Sequence, residues 1–104
     1  MIIETWWSTV APGKAAIAED LYRQAAQVVN RKYPGINTRV LRPTTGIMNR
    51  IGFISEFESV AARDEVYART YADDEVTALR EKMHDIKAHI LEDDAEKHYF
   101  DVIG

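Results

Sequence analysis

The chain contains no cysteine, which excludes a disulfide framework and a thiolate metal site and leaves its redox compartment unmarked. It also lacks a basic cluster: 13 Lys plus Arg stand against 17 Asp plus Glu, a formal charge of -4. A nucleic-acid partner needs a concentrated basic face to meet its phosphates, so none is expected. No apolar run approaches the length of a membrane span, and Met1-Ile2-Ile3-Glu4-Thr5-Trp6-Trp7 lacks the basic flank and long apolar core of a signal peptide. The expectation is a cytoplasmic protein with no membrane partner. Nucleotide loop, nucleophile elbow and metal-chelating cluster are all missing. Asp73-Asp74-Glu75 and Asp93-Asp94 resemble metal-binding runs, but neighbouring carboxylates at a helix start are better explained by capping and the helix dipole. No metal is assigned.

What is present is enough for one domain over residues 1–104, with 46% hydrophobic residues and only three prolines, each of which falls between periodic segments. Residues 2–10, rich in β-branched and aromatic side chains, read as a first strand that ends at Ala11-Pro12-Gly13. Its two faces each carry a tryptophan, Trp6 on one and Trp7 on the other, so both should be covered. In a small two-layer protein the second cover calls for a partner. Over residues 14–32 the apolar positions Ile17, Leu21, Ala25 and Val28 recur at helical spacing, and Tyr33-Pro34-Gly35 closes the helix, with glycine expected to take the left-handed exit conformation.

Residues 36–42 and 47–57 are two strand-like runs joined by Pro43-Thr44-Thr45-Gly46, a hairpin-length connection with suitable turn residues. In the second run Ile47, Ile51, Phe53 and Phe57 share one face, while Met48, Arg50, Gly52, Ile54 and Glu56 form a mixed face opposite. Ser59 is the expected N-cap of a helix to about residue 71, and Asp73 or Asp74 that of another to about residue 91. In the latter Val76, Leu79, Met83, Ile86 and Ile90 make an apolar stripe that should lie on the sheet. Residues 92–97 read as a solvated connection and 98–103 as a short last strand.

Strand, helix, hairpin, helix pair and strand is the ferredoxin-like β-α-β-β-α-β order, an α+β class with an antiparallel sheet. Pro12-Gly13-Lys14 entering the first helix, Tyr33-Pro34-Gly35-Ile36 leaving it, Phe57-Glu58-Ser59 ending the third strand, and Asp73-Asp74-Glu75-Val76-Thr77-Ala78-Leu79-Arg80 opening the late helix together resemble the dimeric α+β barrel superfamily. Within it the chain is similar to NIPSNAP-like proteins and antibiotic-biosynthesis monooxygenases. The resemblance implies a homodimer whose sheets meet face to face, with small-molecule clefts between sheet and helices. There are departures. Quinol-oxidising members carry an asparagine and a tryptophan on the third strand, where Phe53 and Phe57 stand here, and the first strand lacks the asparagine of haem-degrading members.

The candidate site residues follow from chemistry on these elements. His84 and His89 flank the late stripe five residues apart, on different sides of the helix at about 100° per residue, so they cannot chelate one metal together. They are boundary residues, or His84 is a general base or haem ligand. Trp6 and Trp7 with Tyr67 and Tyr71 form either an aromatic wall for a planar ligand or core and dimer interface. Arg39, Arg50, Glu4 and Glu56 are charges inside strands, to be paired between subunits or turned to an acidic substrate, and a buried Glu56 would suit acid or base work. The expected enzyme therefore uses His84, Tyr67 and Glu56 as catalytic groups and Trp6, Trp7, Arg39, Arg50 and Tyr71 to bind substrate. It needs no cofactor, haem being a minor possibility. It would oxygenate, cyclise or isomerise a small hydrophobic aromatic or polyketide-like molecule. The alternative is a non-catalytic NIPSNAP-like dimer that binds a small molecule or a partner.

Overall fold

A computed structural model of the protein describes residues 1–46, 49–85 and 96–103. Its elements are β1 (Ile2–Thr9), α1 (Ala15–Lys32), β2 (Ile36–Leu41), β3 (Arg50–Phe57), α2 (Val60–Tyr71), α3 (Asp74–Asp85) and β4 (Glu96–Asp101). The four strands form one sheet in the order β2-β3-β1-β4 with every neighbouring pair antiparallel. Each β-α-β crossover is thus split by a strand of the other, which is the ferredoxin-like topology expected from the element order.

Register decides which side chains meet. Glu4 lies opposite Ser55, which lies opposite Thr38; Trp6 lies opposite Phe53, which lies opposite Val40. Opposed residues share a face, so Glu4, Trp6 and Ser8 face the helices with Ile51, Phe53, Ser55 and Phe57. The core forms there, from Leu21, Tyr22 and Val28 of α1, Ile51 of β3, and Leu79 and Met83 of α3. Phe57 is also sealed in, with 2% of its surface exposed. Ile17 of the anticipated α1 stripe is exposed instead, because the buried arc is centred on Ala18, Leu21 and Tyr22.

The helix starts behave as their sequences require. The Ser59 side chain accepts the Ala62 N–H at 3.1 Å, and Asp73, rather than Asp74, caps α3 by accepting the Val76 N–H at 3.0 Å. Two local expectations change. The glycines with positive φ are Gly13 before α1 and Gly46 in the β2–β3 connection; α1 closes through the Tyr33 N–H to the Val29 carbonyl, with no left-handed turn at Gly35. Glu96 and Lys97, read as connection, belong to β4, where they stand opposite Trp7 and Trp6. Their charge concealed the strand, yet charge is what an edge strand carries to avoid further pairing. At the opposite edge Asn30 of α1 bonds both the N–H and the carbonyl of Thr38, at 2.8 Å each, and so occupies part of the β2 edge. Residues 47 and 48, His89, the late-helix residues 86–91 and the connection residues 92–95 lie outside the described residues.

Candidate functional site

Between the helix-facing side of the sheet and the three helices is a cavity of about 280 Å³. Its sheet wall is aromatic. Phe53 stacks on Tyr22 with ring centroids 4.7 Å apart and planes 4° from parallel, and Trp6 lies 5.8 Å from each at a tilt. Val76, Leu79 and Met83 of α3 supply the facing aliphatic wall at helical spacing. Tyr71, Arg80 and His84 also line it and are exposed, so they mark its mouth.

The floor carries a carboxylate. Glu4 has only 2% of its surface exposed, because its position in β1 points it under α2. An isolated buried carboxylate costs several kcal/mol, and two partners from one face of α2 offset that here. Arg63 Nε donates to Glu4 Oε2 at 2.8 Å, and the Tyr67 hydroxyl donates to Glu4 Oε1. Arg63 and Tyr67 are one helical turn apart, and the guanidinium rests 4.4 Å from the Tyr67 ring centroid and 4.9 Å from that of Tyr99 on β4. Burial opposes the Arg63 charge, but its hydrogen bonds to Glu4 and Asp64 outweigh this and hold the guanidinium protonated more firmly than usual. Burial first, and then donation to Glu4, push the Tyr67 phenol well above its ordinary ionisation, so it acts as a proton-bearing donor at neutral pH.

Other polar groups of the floor satisfy one another. Ser8 and Tyr22 hydroxyls are 3.0 Å apart and those of Thr38 and Ser55 2.9 Å apart. Tyr22 is held in its neutral form chiefly by burial. The cavity is therefore lined mainly by apolar and aromatic side chains, with the polar pair Glu4 and Tyr67 in its wall, which is how small-molecule sites are built.

Of the residues singled out in the sequence, Trp6, Tyr67, Tyr71 and His84 come together around this cavity. Trp7, Arg39, Arg50 and Glu56 lie on the other side of the sheet by register. There Arg39 pairs with Glu56 of its own chain at 3.4 Å, with side chains 61% and 31% exposed, and the Trp7 ring covers Gly52 so closely that a Cβ there would stand 2.7 Å from it. Glu56 thus shares no site with Tyr67 and His84. Two residues of the floor are absent from the catalytic and binding sets expected from the sequence: Glu4, weighed there only among the strand charges for subunit pairing or an acidic substrate, and Arg63. Alternation with Trp6 and Ser8 marks Glu4 as helix-facing, and the four-residue spacing from Tyr67 marks Arg63. Among the described residues no group of three His, Asp or Glu could hold a metal ion, and no helix is long and apolar enough to cross a membrane.

No protein-family model matches the chain, and no curated protein matches it in sequence. Solved structures do match. An uncharacterised NIPSNAP domain protein from Burkholderia xenovorans superposes with a TM-score of 0.81 at 15% identity, over 99% of this chain and 95% of the other. A NIPSNAP family protein of unknown function from Agrobacterium tumefaciens gives 0.77 at 19% identity, over 96% and 86%. A protein from Caulobacter crescentus assigned as an antibiotic biosynthesis monooxygenase gives 0.77 at 19% identity, over 99% and 90%. The chain has the ferredoxin-like fold of these NIPSNAP domain and antibiotic biosynthesis monooxygenase-like structures.

Proposed function

We propose that the protein is a small enzyme that moves a proton on a compact aromatic or polyketide-like molecule, the step from which isomerisation, cyclisation or oxygenation of an enolate begins. The observation that carries this reading is the buried Glu4 with Tyr67 in the wall of an aromatic cavity. A ligand whose carbonyl reached the Tyr67 hydroxyl would place its acidic C–H near Glu4. The carboxylate would take that proton, the electron pair would move to the carbonyl oxygen, and the phenol would donate a hydrogen bond to the enolate so formed. Arg63 keeps the carboxylate in place; Trp6, Tyr22 and Phe53 exclude water and stack on the ring. A cavity of about 280 Å³ suits one or two rings, since about 150 Å³ suffices for benzene. The four pyrroles of haem ask for more, which supports a reaction without it.

The same reading includes a homodimer. All three described helices line the cavity side of the sheet, which leaves half-buried Ile3, Trp7 and Ile54 on the opposite face for a second copy. A second functional reading, a non-catalytic binding protein, is favoured by one observation: Glu4 already accepts from two donors, as a purely structural anchor does.

Proton exchange separates the two without knowledge of the natural substrate. With 2-tetralone, a bicyclic enolisable ketone, in D₂O, the wild type is expected to replace the α-protons by deuterium faster than buffer does, and Glu4→Gln to lose about 10² of that acceleration or more. Binding of the ketone without accelerated exchange would favour the second reading.

A further inference from the structure

The charged residues of α3 at the cavity mouth have no part in the proton step. Arg80 is exposed, lines the cavity, and holds its guanidinium 4.9 Å from the centroid of the Tyr71 ring on α2. Its position differs from that of most other arginines in the fold. Arg31, Arg39, Arg42, Arg63 and Arg69 each lie against a carboxylate, whereas among the described residues no carboxylate pairs with Arg80. The ring contact engages the guanidinium charge but offers no carboxylate to its N–H groups, which are left to meet something else. His84 follows one turn later and lines the same mouth.

Among the described residues no second lysine or arginine lines the cavity. The half-buried Arg63 is committed to Glu4 and Asp64, and the hydroxyls of Ser8, Tyr22, Thr38 and Ser55 are paired as Ser8 with Tyr22 and Thr38 with Ser55. A formal charge of -4 repels anions from the molecule at large, so recognition of one has to be local and short-range. A guanidinium over the Tyr71 ring beside an aromatic slot meets that requirement, because it can take a carboxylate by two parallel hydrogen bonds while the slot takes the ring.

We propose that Arg80 selects the ligand of this cavity: a compact aromatic acid, its ring between the sheet and α3 and its carboxylate at the mouth on the Arg80 guanidinium. The inference rests on the cavity being the ligand site, as in the proposed function, and it names the substrate class of that site. It assigns Arg80 a binding role and leaves Glu4 and Tyr67 as the groups that meet the reacting carbon.

The test is charge discrimination between two probes of one shape, 2-naphthoate and its neutral amide 2-naphthamide, titrated into the full-length protein by calorimetry. The wild type is expected to bind the naphthoate at least tenfold more tightly, and added salt to narrow the gap. Arg80→Gln should reduce the preference to within about twofold while leaving the amide's affinity unchanged; Arg80→Lys should restore part of it. The substitution is on the surface, and circular dichroism checks that the fold is retained. A preference that survives Arg80→Gln, or equal binding of both probes to the wild type, would overturn the Arg80 assignment while leaving the cavity as the ligand site. Binding of neither probe would overturn the cavity reading and this inference with it.

Discussion

Among single residues, one buried carboxylate, Glu4, is made tolerable by its two partners. Glu4 is 2% exposed and Arg63 18%, so removing the cation strands a charge away from water. Arg63→Ala is expected to cost about 3–5 kcal/mol in urea unfolding. Arg39→Ala, which breaks the exposed Arg39–Glu56 pair, should cost less than about 1 kcal/mol. Equal losses would mean that the Glu4 cluster anchors nothing. The floor was half legible in the sequence. Strand parity places Glu4 on the face of Trp6 and Ser8, and helical spacing places Arg63 beside Tyr67; what no local pattern contains is that these two faces meet across 59 residues of chain. Glu56 drew attention for being a charge among apolar neighbours, yet those neighbours, Ile54 and Gly52, lie on the face without helices.

Between elements, the end of α1 is fastened to the start of α3 by charge. Lys32 reaches both Asp73 and Glu75 at 3.0–3.1 Å, Arg31 reaches Glu75 at 3.1 Å, and the Tyr33 hydroxyl donates to Asp73 at 2.7 Å. The basic residues lie in the last turn of α1 and the acidic ones at the first turn of α3, where each also meets the favourable end of its helix dipole. The Val76 N–H first, then the Tyr33 hydroxyl and Lys32, lower the Asp73 carboxyl from 3.8 to about 2. A carboxyl more acidic in the folded state stabilises the fold above its unfolded value, and that contribution disappears as pH falls through the folded one. Stability should therefore decline between pH 3.8 and about 2 partly through Asp73, and Asp73→Asn should flatten this part of the profile in urea unfolding across that window. An unchanged slope would remove Asp73 from the fastening. Element order, both helix caps and the strand faces could be read from periodicity and turn residues. The start of β4 could not, because Glu96 and Lys97 look like solvated loop until their register with Trp7 and Trp6 is seen.

For the whole molecule, one sheet face is covered by helices and encloses the cavity, and the other presents Ile3, Trp7 and Ile54 with Arg39 and Glu56 nearby. The tryptophan on each face of β1 already called for two covers. If the second cover is another copy of the chain, Ile54→Asp should shift the sedimentation coefficient from dimer to monomer and leave the Glu4 floor in place; an unaltered coefficient would put the interface elsewhere. On the covered face, Tyr67 and Glu4 are proposed to act on a ligand and do more than hold α2 to the sheet. Tyr67→Phe tests it most directly, since it removes the hydroxyl and keeps the ring on Phe57. Measured together, 2-tetralone affinity and its α-proton exchange rate in D₂O should separate: affinity within about twofold of the wild type, exchange slower by about 10² or more. Exchange that persisted at the wild-type rate would contradict the account.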